Sequence, residues 1–174
     1  MRSRSNIFLV GPMGAGKTTI GRRLAELRGM TFVDSDHEIE ERTGVDISFI
    51  FEKEGEAGFR KREKQVIAEL TGGHNVVLAT GGGAVIDSDN RQHLAGRGFV
   101  VYLRASIDHQ LRRTGRTESR PLLQSGDPRE TLERLFAVRD PLYREVADLV
   151  VDADGANART LAQDIGRHID TGGA

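Results

Sequence analysis

The residues with the clearest chemical spacing are Gly11-Pro-Met-Gly-Ala-Gly-Lys17-Thr18, which satisfy G-x-x-x-x-G-K-[ST] in full. Glycines at 11, 14 and 16 can take backbone angles that turn successive N–H groups inward and form a nest for an anion. A helix starting near Lys17 adds its partly positive N-terminus. Lys17 can then reach β- and γ-phosphate oxygens, and the Thr18 hydroxyl can ligate Mg²⁺. Gly14, Ala15, Gly16, Lys17, Thr18 and Thr19 are the expected nucleotide contacts.

Three further clusters could serve what is phosphorylated. Asp34-Ser35-Asp36 follows a short apolar run. An extended backbone there would place both carboxylates on one side. One would hold Mg²⁺ through water and the other would accept a proton from an attacking hydroxyl. The competing role for Asp36 is to cap the next helix. Thr80-Gly81-Gly82-Gly83 offers backbone N–H groups with no side chains in the way, or simply a pliable loop. Arg60 adjoins an apolar stripe of Phe59, Val66, Ile67 and Leu70, and Arg139 lies beside Pro141. Guanidinium groups grip carboxylates in bidentate fashion, although either Arg alone also fits an ordinary surface charge.

Other chemistries are excluded. There is no Cys for thiolate metal sites or cysteine nucleophiles. No N-K-x-D segment reads guanine, and G-x-G-x-x-G fails at Thr19. Asp152-Ala-Asp154-Gly155 begins like a calcium loop but lacks its later acidic positions, so a turn is expected. The His residues at 37, 74, 93, 109 and 168 show no paired ligand spacing.

The elements that must position these groups follow from hydrophobic period. Short apolar runs at 6–10, 31–33, 76–79, 99–103 and 149–151 read as buried strands. Helical patterns occupy 17–28, 37–43, 47–70 with a break near Gly55 to Gly58, 88–95, 107–113, a long span after Asp127, and 158–169. Asp127, Pro128 and Glu130 form a capping signal, and Pro141 is expected to kink or interrupt the helix they start. The polar stretch 114–126, with Arg116, Arg120 and Pro121, breaks the helical period. Alternating short strands and longer helices predict an α/β fold, a doubly wound, mainly parallel five-stranded sheet flanked by helices. Ligands then bind beyond the carboxyl ends of the strands, where three of the clusters fall.

The chain has 174 residues with 25 basic and 26 acidic side chains, giving a net charge of -1. That length predicts one domain, covering 1–174. The charge balance argues against nucleic acid or an anionic membrane as partner. No apolar run approaches a membrane span, and Ile7 to Val10 is too short for a signal peptide, so the cytoplasm is expected.

Taken together, G-P-M-G-A-G-K-T, F-V-D-S-D-H-E-I-E, F-R-K-R-E at 59–63, A-T-G-G-G at 79–83, R-P-L-L at 120–123 and R-D-P-L-Y at 139–143 resemble the shikimate kinase family. These are small phosphate-loop kinases of the nucleoside-monophosphate-kinase type. The resemblance spans about residues 6–169. It implies phosphoryl transfer from ATP to the 3-hydroxyl of shikimate, in the route to chorismate and aromatic amino acids. Asp36 would bind the shikimate hydroxyls and act as base, and Arg60 and Arg139 would clamp the carboxylate. Gly81, Gly82 and Gly83 would line the substrate, and Asp34 would assist Mg²⁺ through water beside Thr18. A substrate-binding segment at about 34–62 and a lid at about 114–126 are implied; Arg120 would swing in on the lid to the phosphates, and Arg113 would pack on adenine. A monomer is implied. The competing readings are a gluconate or nucleoside-monophosphate kinase, and a nucleotide-binding regulatory protein without catalysis.

Overall fold

A computed structural model describes residues 5–114 and 126–172. Five short strands form one sheet: β1 (Ile7–Val10), β2 (Thr31–Asp34), β3 (Val76–Ala79), β4 (Phe99–Arg104) and β5 (Leu149–Asp152). Their order across the sheet is β2-β3-β1-β4-β5, and every neighbouring pair is parallel. The helices are α1 (Lys17–Arg28), α2 (Ser35–Thr43), α3 (Ile47–Leu70), α4 (Ser88–Arg97), α5 (Ile107–Thr114), α6 (Pro128–Val146) and α7 (Ala158–Gly172). Parallel strands need crossovers, and these helices supply them on both faces.

The central strands explain the two-faced core. Side chains alternate along a strand. Ile7 and Leu9 of β1 and Val101 and Leu103 of β4 join a cluster with Leu24 of α1 and Ile165 of α7. Phe8, Val10, Val100 and Tyr102 face the other way, onto Ile67 of α3, Leu94 of α4 and Tyr143 of α6. Burial on both faces is why these strands read as continuous apolar runs. Chain order reverses on either side of β1, whose neighbours are β3 and β4. The crevice beyond the carboxyl ends of β1 and β3 is therefore the place for a ligand.

Two local expectations are revised and one holds. Helix α2 starts at Ser35, two residues early, because Asp34 and not Asp36 is its cap. The expected break in the 47–70 span is present: Gly55, at φ 75° and ψ 179°, leaves the helical conformation and separates two helical stretches of α3. Helix α6 runs through Pro141 without interruption. Proline deprives the Ala137 carbonyl of its helical donor, but both residues are exposed, so water can replace it. No helix among the described residues is long and apolar enough to cross a membrane.

Candidate active site

The loop joining β1 to α1 has the backbone that its sequence requires. Gly14 and Gly16 sit at φ 79° and 91°, a region costly for any residue with a Cβ. Lys17 curls back over the loop, and its Nζ donates to the carbonyls of Gly11 at 2.7 Å and Pro12 at 2.8 Å. Ala15 is buried in the core and anchors the loop. Thr18 Oγ1 donates to Asp34 Oδ2 at 2.7 Å, which joins the first turn of α1 to the end of β2. Arg113, in the last turn of α5, reaches over the loop: a methyl on Gly16 would lie 3.8 Å from its Nη2.

An open cleft of about 700 Å³ runs from this loop toward the end of β3, lined by Lys17, Thr18, Thr19, Asp34, Asp36 and Arg113 among others. Asp34 and Asp36 do share one cleft, but not by strand alternation. Asp34 ends β2 and its Oδ1 accepts the N–H groups of Asp36 and His37, at 2.9 and 3.1 Å. Asp36 then projects from the first helical turn. The acids share a site because the cap turns the chain between them.

The three glycines after β3 are spaces for functional groups. A methyl on Gly81 would lie 2.8 Å from Asp36 Oδ1 and 3.0 Å from Glu63 Oε2. On Gly82 it would lie 3.4 Å from Arg139 Nη1 and 3.5 Å from the Met13 backbone nitrogen. On Gly83 it would overlap the Arg60 guanidinium. Ser35 Oγ holds the Gly81 N–H at 3.1 Å, and a 3-10 turn at Ala84–Ile86 carries the chain away. Gly81 and Gly82 line the cleft itself, whereas Gly83, Arg60 and Arg139 are not among its lining residues: Arg60 lies against Gly83 and Arg139 against Gly82.

Charge converges on this edge. Arg60 donates to Glu63 at 2.9 Å and to Glu56 at 3.3 Å. Glu63 is 1% exposed, and burial raises its carboxyl above the usual range against the pull of Arg60. Arg139 is 4% exposed; burial and the neighbouring Arg60 lower its affinity for its proton. Glu63 Oε2, Arg60 Nε and Arg139 Nε are buried with no hydrogen-bond partner. Buried polar atoms without partners are costly, and Arg139, unlike Arg60, has no ion-pair partner among the described residues. An anion at this edge would meet both guanidinium groups.

Glu63 was missed from sequence, although its position is telling. It falls four residues after Phe59 and three before Val66, within the apolar stripe of α3. A carboxylate inside such a stripe was the available signal. Tyr143 was also given no role, yet its hydroxyl donates to the Gly82 carbonyl at 2.5 Å. Arg120 and lid residues 115–125 lie outside the described residues.

A sequence model of the family described as Shikimate kinase matches residues 13–170. The chain belongs to the shikimate kinase family. The shikimate kinase of Methylococcus capsulatus (strain Bath) is 59% identical over 165 residues, 95% of this chain and 92% of that one. That of Shewanella denitrificans is 58% identical, covering 95% and 96%. A solved structure of shikimate kinase from Acinetobacter baumannii in complex with shikimate superimposes with a TM-score of 0.94. It is 56% identical, with 96% of this chain and 93% of that chain covered.

Family membership sets the remaining polar clusters in context. In the loop after β5, Asp152 Oδ1 accepts the Asp154 N–H and Asp154 Oδ1 accepts the Ser106 N–H, both at 2.9 Å. Asn157 accepts from Arg159 and Thr160 at the start of α7. Acids and amide here fold the turn, as expected.

Proposed function

We propose that this chain transfers the γ-phosphoryl group of ATP to the 3-hydroxyl of shikimate, giving ADP and shikimate 3-phosphate. The observation that carries this reading is the convergence of Asp36, Arg60, Glu63 and Arg139 on Gly81 to Gly83, next to a phosphate loop. A ring carrying one carboxylate and several hydroxyls matches that set. Arg60 and Arg139 clamp the carboxylate, and the glycine backbone lies along the ring. Asp36 orients the 3-hydroxyl and takes its proton as the oxygen bonds to phosphorus and the bond to ADP breaks.

On the nucleotide side, Lys17 moves from the loop carbonyls to the β- and γ-phosphates, with Gly14 to Thr19 around them. Arg113 packs on adenine, and Arg120 of the lid meets the phosphates. Thr18 and Asp34 fit Mg²⁺, Thr18 directly and Asp34 through water. Both are oxygen donors, already 2.7 Å apart in the same cleft. When bound, Mg²⁺ offsets the charge of the transferring phosphoryl group. Closure of segment 114–126 keeps water from competing as acceptor. We further infer a monomer acting in the cytoplasm, with no nucleic-acid or membrane partner, consistent with a net charge of -1.

The test is acceptor choice. ADP release is measured with Mg-ATP and, in turn, shikimate, gluconate and nucleoside monophosphates. Shikimate alone should stimulate it strongly. Preference for gluconate or a nucleotide would move the chain to another kinase reaction, and ATP binding without any acceptor-dependent ADP would make it a binding protein.

A further inference from the structure

One hydroxyl stands between the two halves of the proposed acceptor site. Tyr143 is 2% exposed, on α6, four residues after Arg139 and so on the same helix face. Its O–H donates to the Gly82 carbonyl at 2.5 Å, and the Arg139 guanidinium lies near the phenol oxygen. The proton order is forced by chemistry. A carbonyl can only accept and a guanidinium can only donate, so the phenol gives its proton to Gly82 and offers its lone pairs to Arg139. Burial pushes this phenol up to about 12, so it remains a donor throughout the neutral range.

The ring itself is held. It packs against Tyr102 of β4 with centroids 4.8 Å apart, and Tyr102 donates to Asp140 at 2.7 Å. Asp140 adjoins Arg139, so the same stretch of α6 is fastened to the sheet. Peptide planarity extends the effect. Fixing the Gly82 carbonyl fixes the opposite direction for the Gly83 N–H across the same peptide bond.

We infer that Tyr143 is a positioning residue of the acceptor site, setting the Gly82–Gly83 peptide and the Arg139 guanidinium at a fixed spacing for a bound carboxylate. The inference rests on the proposed shikimate reaction. Tyr143 does not touch the reacting atoms in this scheme. Arg139 Nε is buried and has no hydrogen-bond partner.

Replacement Tyr143→Phe keeps the ring and removes only the hydroxyl. Steady-state kinetics should show the KM for shikimate rising roughly tenfold, with the KM for ATP unchanged and kcat altered far less. An unchanged shikimate KM, or equal changes toward both substrates, would overturn the inference, because a purely structural role does not discriminate between them. If Tyr143→Phe does not fold, the wild-type protein decides. The chain has 2 Tyr, so ¹³Cζ-tyrosine labelling gives two resonances, assigned with Tyr102→Phe. The Tyr143 signal should shift with shikimate and stay in place with ADP; no shift with shikimate contradicts the role. Failure of the underlying reaction is separate: wild-type protein would then release no ADP with shikimate and Mg-ATP.

Discussion

The Thr18 hydroxyl donates to Asp34 at 2.7 Å, while the other oxygen of that carboxylate caps α2. One side chain thus links the phosphate-loop helix to the turn that carries Asp36. The two duties are separable. Asp34→Asn retains a good cap, so its melting temperature should stay near wild type, while half-saturation by Mg²⁺ rises about tenfold or more. Asp34→Ala should lose the cap as well, at about 0.5–2 kcal/mol of stability. A magnesium titration of activity beside a thermal melt reads both, and an unchanged titration in Asp34→Asn removes the residue from the metal site.

Asp36 stands at the end of the cleft where the glycines begin. Asp36→Asn should bind ATP as wild type does, yet turn over roughly 10²–10⁴-fold more slowly. Calorimetric nucleotide titration and single-turnover rates provide the comparison. Near-normal turnover would mean that the hydroxyl is activated without this carboxylate.

Space at Gly83 is predicted to matter as much as charge at Arg60. Gly83→Ala puts a methyl into the Arg60 guanidinium, so it should raise the shikimate KM in the same direction as Arg60→Ala. The latter should weaken acceptor binding by about 2–5 kcal/mol. Gly96 in α4 has no described atom within 4 Å of an added methyl. Gly96→Ala should therefore stabilise the fold by roughly 0.4–1 kcal/mol and leave kinetics alone. Equal kinetic effects from the two alanines would argue against a steric role at Gly83.

Glu63 gives a pH signature. Burial, its largest influence, raises its carboxyl above the ordinary 4.5. The folded state then binds this proton more readily than the unfolded state does. Stability from this group is therefore greatest below 4.5 and is lost as pH rises through the raised value. Glu63→Gln cannot titrate. The stability of wild type relative to Glu63→Gln, measured by denaturant titration across acidic pH, should decline as pH increases; a rising difference would contradict the assignment.

The sheet, its five strands and the phosphate loop were legible because each rests on local pattern: apolar runs, glycine spacing, and helices near their expected limits. Pro141 misled because helix continuity depended on the exposure of Ala137, a tertiary fact. Asp34 and Asp36 were paired for a reason that does not hold, since the strand ends at Asp34 and capping decides where Asp36 points. Glu63 escaped because its apolar neighbours drew the eye to the stripe and not to the acid within it. The tight fit of Asp36, Arg139 and Arg60 against three successive glycines joins residues from four separate segments, which sequence order alone does not bring together.

The central claim is transfer from ATP to one hydroxyl of shikimate within this cleft. Phosphorus NMR of a reaction containing enzyme, Mg-ATP and shikimate tests it most directly. The account predicts one equivalent of ADP for each equivalent of a new phosphomonoester on the 3-hydroxyl, with both lost in Asp36→Asn. ADP accumulating with inorganic phosphate and no shikimate ester would contradict it.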